Sequence, residues 1–152
     1  MLKLFHNQIT SDQIQELANG LSNDDLMEIE ALGWTDPVKA VSTSIDSSET
    51  FTYISDQHDK AVGIAGVVSS GKDSGVVWLL TTDVAKQYPF SVVRQSKYWL
   101  ARQKSEYLLL HNIVDARNTN HLKLLKLLGF KKLRYVPAGP LNRTFIEFAT
   151  IS

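Results

Sequence analysis

The segment from Asn112 to Phe130 constrains the fold of this chain more than any other. The apolar run Tyr107 to Val114 has the length and composition of a buried strand, and Asp115-Ala116-Arg117 makes a polar turn. Asn118 then stands at the cap position of a helix that runs to Leu128, with Leu122, Leu125 and Leu128 on one side. Gly129-Phe130 ends it, glycine being the residue that tolerates a left-handed conformation just past a helix. A further strand, Phe130 to Val136, follows at once. A strand, a helix and a strand joined this tightly force the helix back onto the sheet, so the chain must build helices against a sheet.

The rest of the sequence extends that pattern. Leu2 to Phe5 reads as a short first strand. Thr10 and Gln13 form a capping box before Ile14, Leu17, Ala18 and Leu21. Ser22, with Asp25 three residues on, opens a second helix that carries Leu26, Ile29 and Leu32 and stops at Gly33. Asp36-Pro37 starts a third, through Val38, Val41 and Ile45 to Ser48. From Thr50 the period shortens to that of strands: Phe51 to Ile54, Ala61 to Val68 and Val76 to Thr81, an antiparallel meander. Ser69 to Gly75 reads as the loop between the last two. A helix from Pro89 to about Lys104 presents Val92, Val93, Ser96, Trp99 and Leu100 inward. Ala138-Gly139-Pro140 turns the chain into a last strand, Thr144 to Phe148.

The chain's 152 residues suit a single domain, 1–152. Sixteen basic and sixteen acidic side chains cancel, which gives nucleic acid or an acidic membrane no electrostatic foothold. There is no cysteine, so a thiol nucleophile, disulfides and thiolate metal sites are excluded. The start, Met1 to Asn7, is too short and polar for a signal peptide, and no apolar run approaches the roughly 20 residues of a bilayer span.

Three motifs bear on chemistry. Gly66, Gly71 and Lys72 follow the spacing of a phosphate-binding loop. Asp73, however, stands where a Ser or Thr must hold Mg²⁺, and a strand follows where a helix is needed, so a hairpin loop is the better reading. His6, His58, His111 and His121 show no metal-binding spacing. His121, in the first turn of the Asn118 helix, would face a cleft or solvent and is a candidate general base, since imidazole titrates near neutrality. Lys123, Lys126, Lys131, Lys132 and Arg134 make the last third basic, which suits a solvated face with cations near a helix carboxyl end.

The order of elements, together with the strand, Asn118 and Leu128-Gly129-Phe130, resembles the GCN5-related N-acetyltransferase (GNAT) family over nearly the whole chain. The resemblance implies an α/β (α+β) acyl-CoA N-acyltransferase fold: a mostly antiparallel mixed sheet of about six or seven strands flanked by helices. It further implies that acetyl-CoA would lie along Leu79, Leu80, Thr81 and Thr82 and be held by Asn118. Two family features are absent. The glycine loop that cradles the pyrophosphate is replaced by Asp83 to Val92, with no glycine between Gly75 and Gly129. The tyrosine that family members commonly place seven residues after the motif asparagine is Leu125. Bulky Tyr88 and Phe90 are expected to occupy part of the pyrophosphate position.

Trp78-Leu79-Leu80-Thr81-Thr82-Asp83-Val84 taken with Asn118 to Leu125 also resembles the small internal virion protein, or acyltransferase-like, family of short-tailed coliphages. That resemblance implies a catalytically degenerate protein of virion morphogenesis, acting in the host cytoplasm or the virion through contacts with other phage virion or assembly proteins. The alternative is an active acyl-CoA-dependent N-acetyltransferase on an amine or protein acceptor, with His121 or a water handling protons. Fold alone does not choose between them.

Overall fold

Strand and helix signals alternate along this chain so that each helix has a sheet face to cover, and the computed structural model, which describes every residue from Met1 to Ser152, shows where each one lands. Strand β1 (Lys3–His6) is followed by helices α1 (Ser11–Asn19), α2 (Asn23–Ala31) and α3 (Pro37–Ser47). Strands β2 (Thr50–Ser55), β3 (Ala61–Gly71) and β4 (Ser74–Thr81) come next, then a single 3₁₀ turn (Asp83–Gln87) and the long helix α4 (Pro89–Lys104). Strand β5 (Leu109–Asp115), helix α5 (Thr119–Leu127) and strands β6 (Lys131–Ala138) and β7 (Arg143–Ile151) complete the chain. One seven-stranded sheet results, in the order β1-β2-β3-β4-β5-β7-β6.

The expected capping chemistry is in place. Thr10 and Gln13 make the reciprocal capping box of α1, Asp36 caps α3 ahead of Pro37, and the Asn118 side chain accepts from the His121 N–H to open α5. Two local readings change. The stretch Ser69 to Gly75 is mostly strand, because β3 and β4 continue their ladder to a tight turn at Lys72-Asp73, with Asp73 at φ 61°. That hairpin rules out a phosphate-binding loop there. The strand expected from Tyr107 starts only at Leu109.

Helices α1 to α3 cover one face of the sheet, where Leu17, Val41, Tyr53, Ile64 and Leu80 form a core. Helices α4 and α5 cover the other, over Val67, Leu100, Leu110, Val114 and Phe148. Every strand pair is antiparallel except β4 with β5. That parallel pair is short: Ser74 to Val76 lie opposite Leu109 to His111, and the pairing then stops. Beyond it the two strands diverge, and the sheet opens between Val77–Thr81 and Asn112–Asp115.

Candidate active site

Backbone alternation decides what the diverging edge of β4 offers. The Val77 carbonyl accepts from Asn112 Nδ2 at 2.7 Å, which closes the apex of the gap. Thr81 has its N–H donated to Asp25 Oδ2 at 2.7 Å, and its carbonyl accepts from the Ser22 N–H at 2.9 Å. Leu79 lies between these two residues, so the period of two turns its N–H and C=O the same way, into a gap where no strand stands opposite. Leu80 and Thr82 point their backbone toward β3 instead; the Thr82 N–H donates to the Val62 carbonyl at 3.0 Å. Among the four strand residues that the GNAT resemblance assigns to a cofactor, Leu79 and Thr81 thus turn their backbone groups to the opening, and those of Thr81 are taken by Asp25 and Ser22, which leaves Leu79.

Below the gap sits a buried ionic cluster. Asn118 is 1% exposed and donates through Nδ2 to Asp25 Oδ1 at 2.9 Å and Glu28 Oε1 at 3.3 Å. Glu28 Oε1 also accepts from the Asp115 N–H at 2.8 Å, so α2 bridges the ends of both diverging strands. His121 Nε2 lies 3.2 Å from Asp25 Oδ1, an ion pair set off the line of a good hydrogen bond. Burial alone would pull the His121 pKa down, but Asp25, with Glu28 and Asp24 behind it, holds it above the ordinary value. Burial would likewise raise Asp25; the His121 charge, the Thr81 N–H and the Asn118 amide together bring it below the usual carboxylate range. Glu28 goes the other way, because burial raises it more than His121 and the Asp115 N–H lower it. The two carboxylates are therefore held at different proton affinities, the arrangement acid–base chemistry requires.

A cavity of about 390 Å³ passes through the opening, within the range of small-molecule sites. Its wall is apolar: 22 of 31 lining residues are hydrophobic. On the α2–α3 side it is lined by Glu28, Trp34, Thr43, Ser44, Ser47 and Trp78, and on the α4–α5 side by Gln95, Ser96, Trp99, Leu124, Leu125 and Leu128. Leu79, Leu80 and His121 also line it, whereas Thr81, Thr82 and Asn118 do not. Trp99 Nε1 is buried without a partner in the protein.

Tyr88 and Phe90 stay out of this cavity. The Tyr88 hydroxyl donates to Asp56 at 3.2 Å, Phe90 is 84% exposed, and neither lines the cavity. They stand where the 3₁₀ turn ends and α4 begins. That turn also consumes donors a phosphate would use: the Val84, Ala85 and Tyr88 N–H groups go to Thr82 Oγ1, Thr82 O and Ala85 O.

Asp25 and Glu28 are absent from the sequence-derived candidates. Ser22 and Asp25 have capping-box spacing, and in such a box the carboxylate would accept from the Ser22 N–H. Here the Ser22 N–H donates to Thr81, so the Asp25 carboxylate is free to take the Thr81 N–H and face His121. Spacing contained that exchange only as a cap.

No family model and no curated protein matches the sequence. Solved structures do. The spermidine N-acetyltransferase of Vibrio cholerae, solved in complex with CoA and spermine, superimposes with a TM-score of 0.71 at 12% identity, covering 99% of this chain and 95% of the other. A GNAT-family acetyltransferase from Bacillus anthracis gives 0.71 at 12% identity, over 97% and 94%. The fold is that of the GNAT acetyltransferases. Identities this low establish the architecture alone. No helix is long and apolar enough to cross a membrane.

Proposed function

We propose that this chain is an acyl-CoA-dependent N-acyltransferase whose site is the opening between β4 and β5. The observation that carries the reading is the cavity through the sheet, with the free backbone edge of Leu79 and the ionisable Glu28 and His121 on its wall. An amide-bearing acyl-thioester arm would pair with Leu79 as an added strand. The acceptor amine's lone pair then forms the C–N bond, the C–S bond breaks, and the proton lost from nitrogen passes to Glu28, whose raised pKa suits a base. His121 is the cavity-lining group able to protonate the departing thiolate, four residues before Leu125 on the same helical face. Asn118 acts behind the site by holding Asp25 and Glu28 in place.

The 3₁₀ turn uses three of its own N–H groups, so a pyrophosphate would rely on the Phe90 and Ser91 N–H groups at the uncapped start of α4, with the thioester arm on Leu79. Calorimetric titration with acetyl-CoA tests this: a Kd of about 1 mM or tighter is expected. A folded sample that gives no heat at that concentration would end the acyltransferase reading.

A second reading is favoured by Leu125 on the cavity wall and by the glycine-free turn. It is a degenerate GNAT-fold protein that works through contacts with other virion or assembly proteins, as the phage resemblance implies. Failure of both acetyl-CoA binding and turnover supports it.

A further inference from the structure

The cavity's charge content limits what amine can enter, a point that rests on the acyltransferase reading for its reaction and on the cavity alone for its binding preference. An amine needs a carboxylate, and Glu28 is the one carboxylate on the wall. Its Oε1 is engaged by Asp115 and Asn118, while Oε2 makes no hydrogen bond within the protein. Asp25 lies behind it, against His121 and outside the lining. The cavity thus offers one carboxylate, with one free oxygen, to a cationic guest.

The surrounding wall is indole and hydroxyl. Trp78 is fixed twice: its Nε1 donates to Ser48 Oγ at 2.7 Å, and its ring lies so close on Gly66 that a Cβ there would be 2.5 Å away. Trp34 is placed by the end of α2, where Gly33 at φ 100° lets the Trp34 N–H donate back to the Ile29 carbonyl. Two indoles and one carboxylate on the wall of one cavity suit a single ammonium on an aromatic body, through apolar burial and cation–π attraction. A second or third ammonium would be buried here without a counter-charge, which is strongly unfavourable. We propose that this site takes an arylalkyl monoamine and discriminates against polyamines, unlike the structurally similar enzyme crystallised with spermine.

Titrations of the whole protein with phenethylamine and with spermidine, followed by the tryptophan fluorescence of the cavity, test the preference. Phenethylamine is expected to bind at least about tenfold more tightly, and Glu28→Gln, which keeps the Oε1 acceptor, to lose that binding. Equal or tighter binding of spermidine, or phenethylamine binding unchanged in Glu28→Gln, overturns the inference. Release of free CoA from acetyl-CoA is then read with a thiol reagent, against no protein background because the chain has no cysteine. Phenethylamine bound with the expected preference but never acylated upholds the amine site and overturns the acyltransferase reading. Turnover of spermidine in preference to phenethylamine upholds acyl transfer and overturns the monoamine preference.

Discussion

Asp25 is fully buried and carries four interactions at once: the Thr81 N–H, the Thr81 hydroxyl, the Asn118 amide and the His121 ring. Removing its charge takes from His121 its nearest carboxylate and leaves buried donors facing a neutral amide. Asp25→Asn should therefore cost about 3 to 5 kcal/mol in urea unfolding. A loss below about 1 kcal/mol would show that His121 is neutral in the native protein. Gly66 is a different case, in which the constraint is space. The Trp78 indole covers it, so Gly66→Ala must displace the ring or the strand and should cost about 1 to 3 kcal/mol by overpacking. The accompanying shift in tryptophan emission distinguishes ring displacement from general loosening.

At the scale of elements, two helices share one device. Both α2 and α5 end on a glycine of positive φ, Gly33 and Gly129, whose following aromatic donates its N–H back into the helix: Trp34 to Ile29, Phe130 to Leu125. Both aromatics reach the cavity, so each helix end sets part of its wall. Gly129→Ala meets no atom within 4 Å, and its cost is conformational, about 1 kcal/mol from the left-handed backbone. Helix α5 also sets a chemical test. Leu125 lines the cavity one turn after His121, at the place where GNAT members commonly carry tyrosine. If thiolate protonation limits turnover, Leu125→Tyr should raise acetyl-CoA-dependent kcat by about tenfold or more, measured as thiol release. An unchanged kcat would place the limiting step elsewhere.

The whole molecule has a pH signature, since α2, β4, β5 and α5 meet at one ionic cluster. The His121 pKa is raised on folding, so its contribution is complete below the ordinary 6.5 and fades as pH rises through the higher folded value. Asp25 is lowered, so its contribution is present above the ordinary 3.8 and is lost as pH falls through its lower folded value. Glu28 is raised, and its contribution is present below the ordinary 4.5 and declines as pH rises through its folded value. Stability should be greatest at mildly acidic pH and fall on the alkaline side. In His121→Gln the part of the fall above about pH 6.5 should vanish. The same fall in the variant, seen in unfolding curves from about pH 5 to about pH 9, would assign it to other groups.

Capping boxes, helix-ending glycines and the change of period at Thr50 are local signals, and they located nearly every element, because neighbours along the chain set backbone conformation. The same local logic placed Asn118 at a cap and noted Leu125 in place of tyrosine. It did not reach Asp25 or Glu28, since a Ser22–Asp25 cap looks the same in sequence whether the carboxylate accepts from Ser22 or from Thr81, 56 residues on in the chain. The surroundings of Tyr88 and Phe90 are hidden for the matching reason: bulk is visible in a sequence, but whether a ring meets Asp56 or solvent is not. Sequence by itself determined the fold class, the order of elements and the missing family residues. Only the tertiary structure decided that Asp25 and Glu28 of α2 share one cluster with Asn118 and His121 at the start of α5, beside an open strand edge, because burial and charge pairing between distant segments exist only once the chain is folded.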